Sequence, residues 1–103
     1  MTQRVRKISK IEVPLGERIR LREGEQPLGR TRITSAEKLG SALRLRRREL
    51  GYTQKTASEL CGHSVRAISE IENGRASAGI GLILDYALVL GVDLEVTVRG
   101  QAN

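Results

Sequence analysis

Residues 51–74 read GYTQKTASELCGHSVRAISEIENG. Two short segments flank Gly62, and each opens on a hydroxyl side chain suited to capping a helix: Thr53 before Gln54, and Ser64 before Val65. The first segment gathers Ala57, Leu60 and Cys61 on one face. The second places Val65, Ile68 and Ile71 at i, i+3 and i+6, and Asn73-Gly74 closes it. The pattern predicts a helix over 54–61, a tight turn at Gly62, and a second helix running from Ser64 to the Asn-Gly stop.

The same periodicity extends outward. Thr34-Ser35-Ala36-Glu37 fits a capping box led by Thr34, after which Leu39, Leu43 and Leu50 share a face and Gly51 ends the helix. Ile80, Ile83, Leu84, Ala87, Leu88 and Leu90 predict a further helix over 79–90. Beyond Gly91 the period changes to two: Val92, Leu94, Val96 and Val98 alternate with Asp93, Glu95, Thr97 and Arg99. That is the pattern of a half-buried strand over 92–99. A lone strand needs a partner, either the N-terminal arm or its twin in a symmetric dimer. Residues 1–33 show no helical period. Arg18 to Arg22 alternates basic and apolar, Val5 to Val13 less regularly, and Pro-Leu-Gly recurs at 14 and 27. The expected architecture is mainly α: a bundle of four to five helices with a C-terminal strand and a basic arm with short strands. The expected units are an arm or small β-element (1–33) and a helical domain with a dimerisation strand (34–103).

Composition narrows the function. With 103 residues, no Trp and no Phe, the core is expected from Leu, Ile, Val and Ala. The single cysteine, Cys61, allows no internal disulfide, and no apolar run approaches membrane length. Together they favour a cytoplasmic protein with no membrane partner. The net charge of +6 is unevenly spread: residues 1–32 hold nine Lys/Arg against four Glu, whereas residues 51–74 hold two against three. Clustered Lys and Arg favour a polyanion, because neutralising it releases counterions. His63 is the only histidine, so no metal set is expected. No nucleophile motif or phosphate loop is present, no cofactor is called for, and the chain is not expected to be an enzyme.

Residues 36–98 resemble the XRE/Cro-CI type of helix-turn-helix regulator. The match runs through Leu50-Gly51-Tyr52-Thr53-Gln54, Cys61-Gly62-His63-Ser64, Ile68-Ser69-Glu70-Ile71-Glu72-Asn73-Gly74 and Ala87-Leu88-Val89-Leu90-Gly91-Val92. The added terminal strand is similar to that of HipB-type antitoxins. The resemblance implies a repressor that binds a palindromic operator in double-stranded DNA as a homodimer and autoregulates its operon, with a HipA-type kinase toxin as partner. It implies that Thr53 and Gln54 meet the phosphate backbone and that Ser64, Val65, Arg66 and Ser69 face the bases, while Glu70 either accepts from cytosine N4 or orients Arg66 one turn away. Asn73 and Arg75 follow the backbone, Arg47 and Glu72 form a structural ion pair, and Val92, Leu94, Val96 and Val98 join the subunits. Two other readings are an interaction module that mainly neutralises a toxin and a stand-alone phage-type repressor. Ala57, Cys61 and His63 depart from the family, which usually has large apolar residues there, and residues 1–33 lie outside its pattern.

Overall fold

The computed structural model describes residues 27–75 and 77–100 of the chain. Four helices follow in order: α1 (Ala36–Glu49), α2 (Gln54–Cys61), α3 (Val65–Glu72) and α4 (Ile80–Leu90). The short strands expected before residue 27 lie outside the described residues.

Each helix begins where a side chain or an extended residue prepares it. Thr53 Oγ1 accepts from the amide of Thr56 at 3.0 Å, and Ser64 Oγ from that of Ala67 at 3.0 Å. At α1 the cap is Ser35, not Thr34: Ser35 Oγ accepts from Lys38 N at 3.1 Å, one residue later than the capping-box reading. Both residues are hydroxyls in a polar run, and the sequence alone does not separate them. Gly62 ends α2 at φ 78°, a left-handed conformation that a Cβ would disfavour. This is the turn that redirects the chain from α2 into α3.

Leu43, Ala57, Ile68, Tyr86 and Leu90 are completely buried, with Leu50, Tyr52, Ile71 and Ala87 nearly so. The core therefore differs from the all-aliphatic expectation, because Tyr86 is its largest fully buried side chain. Ala57 supports close packing of α2, and the partly buried Leu60 and Cys61 complete that face. Helix α1 crosses α3 with no space for a side chain at Gly40. A Cβ there would lie 2.3 Å from the carbonyl oxygen of Ile71 and 2.7 Å from that of Glu72.

Arg46 is structural. Its Nε donates to the Leu90 carbonyl at 2.9 Å, capping the end of α4, and its Nη1 lies 3.3 Å from Glu49 Oε1. Glu49 Oε2 accepts from the amide of Leu28 at 2.6 Å. Residues 28–33, 92–95 and 97–100 then flank a cavity of about 800 Å³ lined also by Leu39, Ala42 and Leu43. Among the described residues no β-ladder forms, and the strand expected over 92–99 has no paired neighbour. Leu94, Val96 and Val98 are left 38%, 96% and 63% exposed.

Candidate nucleic-acid interface

The α2–turn–α3 unit presents one polar edge and buries the opposite one. Ile68, Ile71 and Glu72 turn inward, while Ser64, Val65 and Arg66 are exposed and Ser69 and Glu70 half-buried. Arg66 is the most prominent of these, its side chain 88% exposed, and its Nε lies 3.4 Å from Glu70 Oε2 one turn on. That contact engages only Nε. The two η nitrogens remain the pair able to fork onto an acceptor edge such as guanine O6 and N7. The Val65 methyls stand 41% exposed beside it. Ser64 accepts one hydrogen bond as a cap, which leaves its hydroxyl proton and a second lone pair for an outward partner.

Asn73 folds back onto α3. Its Nδ2 donates to the Ser69 carbonyl at 2.9 Å and lies 3.3 Å from Ser69 Oγ, so the two side chains form one unit. Arg75 is exposed, and its amide donates to the Glu70 carbonyl at 2.9 Å, which ties the loop to the helix end.

Behind this edge sits a buried carboxylate. Glu72 accepts from Arg47 Nε at 2.7 Å and Nη2 at 3.0 Å in a bidentate fork, from Gln54 Nε2 at 3.0 Å, and from the Tyr86 hydroxyl. Arg47 Nη1 donates onward to the Tyr52 carbonyl at 2.8 Å. One carboxylate thus receives donors from α1, α2 and α4. Burial alone would raise the Glu72 pKa. The hydrogen bonds from Arg47, Tyr86 and Gln54, with the Arg47 charge, outweigh burial and hold it below the usual carboxylate range. Burial likewise opposes the charge on Arg47, and Glu72 more than restores it. The Tyr86 phenol is pushed far up, first by burial and then by its bond to Glu72, and stays a neutral donor.

The sequence-derived residues fall into two groups in space. Thr53, Ser64, Val65, Arg66, Ser69, Glu70, Asn73 and Arg75 belong to the outer edge, at the ends and open face of α2 and α3. Arg47 and Glu72 form the expected ion pair beneath it. Gln54 joins the two groups, because its amide is already bound to Glu72. Two contacts had no clear sequence signal. Tyr86 lies outside the apolar set that marks α4 in the sequence, yet it supplies the third donor. His63 carries no particular role in the sequence pattern, yet its Nε2 lies 2.9 Å from Asp85 Oδ2, so the turn is tied to α4. Among the described residues no cluster of His, Cys, Asp and Glu is arranged to hold a metal ion, and no helix is long and apolar enough to cross a membrane.

Solved structures share this arrangement. One described as "MDT Protein" superposes with a TM-score of 0.63 at 21% identity, covering 68% of this chain and 99% of the other. One described as "Structure of HipA-HipB-O2-O3 complex" gives the same values. A third, a complex of a singly substituted HipB with an O2 20mer, gives 0.64 at 21% identity, covering 69% and 99%. At this identity the likeness is one of fold, and it is the HipB-like fold that the sequence resemblance implied. No curated protein matches the chain. The helix-turn-helix family HTH_3 matches residues 43–96, more than half of the sequence, and the chain belongs to that family.

Proposed function

We propose that the protein is a sequence-specific DNA-binding repressor, the antitoxin of a HipBA-like operon, that binds a palindromic operator as a homodimer and represses its own synthesis. The single observation that carries this reading is the split character of α3: Ile68, Ile71 and Glu72 are buried, and the opposite face offers Ser64, Val65 and Arg66. In this reading α3 enters the major groove, Arg66 reads a guanine and Val65 packs against a thymine methyl. Thr53, Gln54, Asn73 and Arg75 contact phosphates. Ser69 and Glu70 position Asn73 and Arg66 and approach the bases. Two copies place their α3 helices in half-sites about 34 Å apart.

The family membership supports the DNA-binding part. The likeness to HipB structures, one of them a complex with HipA, supports a HipA-type kinase toxin as the protein partner. The basic balance supports a polyanion, with the charge located before α2 rather than in it. Selection of bound duplexes from a random pool tests the proposal. The parent chain is expected to enrich a two-fold symmetric site, and Arg66→Ala to bind that site about 5- to 150-fold more weakly while retaining its nonspecific affinity. Equal discrimination by parent and variant would refute the role given to Arg66, and absence of any enriched site would refute the function.

A further inference from the structure

Asp93 and Glu95 are acidic positions on an alternating segment that is exposed from 93 to 98 and has no paired neighbour among the described residues. We infer that the N-terminal arm of the same chain covers it. Residues 18–22, Arg-Ile-Arg-Leu-Arg, pair antiparallel with residues 93–97, Asp-Leu-Glu-Val-Thr, so that Arg22 stands opposite Asp93 and Arg20 opposite Glu95. The arm segment lies outside the described residues. Both strands belong to one chain, so the pairing stands whether or not the protein binds DNA.

Charge and period select the occupant. Both segments alternate with period two, one carrying arginines and the other carboxylates. In this register Leu21 faces Leu94, Ile19 faces Val96 and Arg18 faces Thr97, and each carboxylate faces a guanidinium. One face of the pair is then apolar and the other ion-paired. Val96, 96% exposed in the described structure, gains Ile19 as a cover. A slip of one residue would set the apolar side chains against polar ones. A slip of two toward α4 opposes Arg22 to Gly91, the helix stop at φ 71°, and enlists Val92, whose amide already donates to the Ala87 carbonyl at 2.9 Å. A slip of two the other way opposes Arg18 to Arg99, and like charges directly opposite destabilise a ladder. Among the described residues Asp93 and Glu95 make no ion pair, so both are open to the arm.

Chain geometry selects the direction. The Leu28 amide is bound to Glu49 and the Leu90 carbonyl to Arg46, and these two side chains of α1 meet at 3.3 Å. The arm therefore leaves the bundle beside the root of the C-terminal segment. The cavity of about 800 Å³ lies between residues 28–33 and that segment, with Leu94 on its wall, and gives the arm room. From Arg22 to Leu28 the chain reaches at most about 22 Å. Antiparallel pairing returns Arg22 to Asp93, about 10 Å along the strand from Leu90. Parallel pairing would carry it to Thr97, about 23 Å along, farther than a link that must also turn can span. Gly24 and Pro27 in that link suit the return turn.

Paired cysteines in the full chain carrying Cys61→Ser test the pairing. Opposed residues have Cα atoms about 4.5–5.5 Å apart, within disulfide reach. A two-residue offset adds about 7 Å along the strand, which is too far. Under mild oxidation at low protein concentration, Leu21→Cys/Leu94→Cys is expected to close within one chain, faster than Ile19→Cys/Leu94→Cys or Leu21→Cys/Val96→Cys. Adding Arg20→Glu is expected to slow that closure about fivefold, and adding Glu95→Arg as well to restore it. Fastest closure of the 19–94 pair would overturn the register, fastest closure of the 21–96 pair the direction, and a failure of restoration the charge pairing. A covalent dimer joined through Leu94→Cys, or no closure in any pair, would overturn the arm as the occupant. Unchanged helical circular dichroism in every variant excludes misfolding as the cause, since these substitutions lie outside the four helices.

Discussion

Replacing Glu72 with Leu removes the one acceptor on which three helices converge. Arg47 would remain charged with its side chain only 11% exposed, and breaking a buried pair from one side costs about 3–5 kcal/mol. The Tyr86 hydroxyl, completely buried, would lose its acceptor at a further cost of about 1–3 kcal/mol. Gln54 is half-buried and can turn to water, so it adds little. The total, about 4–8 kcal/mol, approaches the whole stability of a small domain, about 5–15 kcal/mol. Glu72→Leu is therefore expected to be largely unfolded at 37 °C. Arg47→Met leaves Glu72 two donors and should cost less, and Tyr86→Phe, which leaves the Arg47 fork intact, only about 1–2 kcal/mol. Urea denaturation followed by circular dichroism at fixed protomer concentration gives the order. The double variant Arg47→Met/Glu72→Leu removes both charges together and should be more stable than Glu72→Leu alone, because it leaves no orphaned guanidinium. A Glu72→Leu protein within about 1 kcal/mol of the parent, or a double variant less stable than that single one, would refute the reasoning.

Two further outcomes follow from the same packing. Gly40→Ala places a methyl against the Ile71 and Glu72 carbonyls and is expected to cost at least about 1–3 kcal/mol in the same urea assay, with α3 displaced from α1. The pH profile should fall off on both sides. Glu72 is held below its unfolded pKa, so its contribution is present above about pH 4.3 and is lost as pH falls through the depressed folded value. Tyr86 is held above its unfolded pKa, so its contribution is present below about pH 10 and is lost as pH rises further. Tyr86→Phe should remove the alkaline part of the loss, as measured by urea midpoints from pH 8 to 11.

The helices were legible because their signals are local. Capping hydroxyls at Thr53 and Ser64, the stop at Gly62 and the spacing of Ile68 and Ile71 each act within a few residues, and the structure places α2 and α3 where they indicate. Contacts between distant residues were less legible. The Arg47–Glu72 pair was reached only through family resemblance. Tyr86 joining it, Asp85 holding His63 and Arg46 capping α4 link positions 14, 22 and 44 residues apart, and no periodicity reports such distances. Ser35 displacing Thr34 as a cap is a different case, in which two equivalent hydroxyls stand side by side and packing decides between them. The strand expected over 92–99 shows the remaining gap: alternation marks a segment able to pair and does not name what it pairs with.

The Arg46–Glu49 couple has a mechanical consequence. It holds the amide of Leu28 and the carbonyl of Leu90 to one turn of α1, so the bundle between them is a loop drawn closed at a narrow neck. Tension applied at Leu28 and Leu90 would load that neck before it loads α2 and α3.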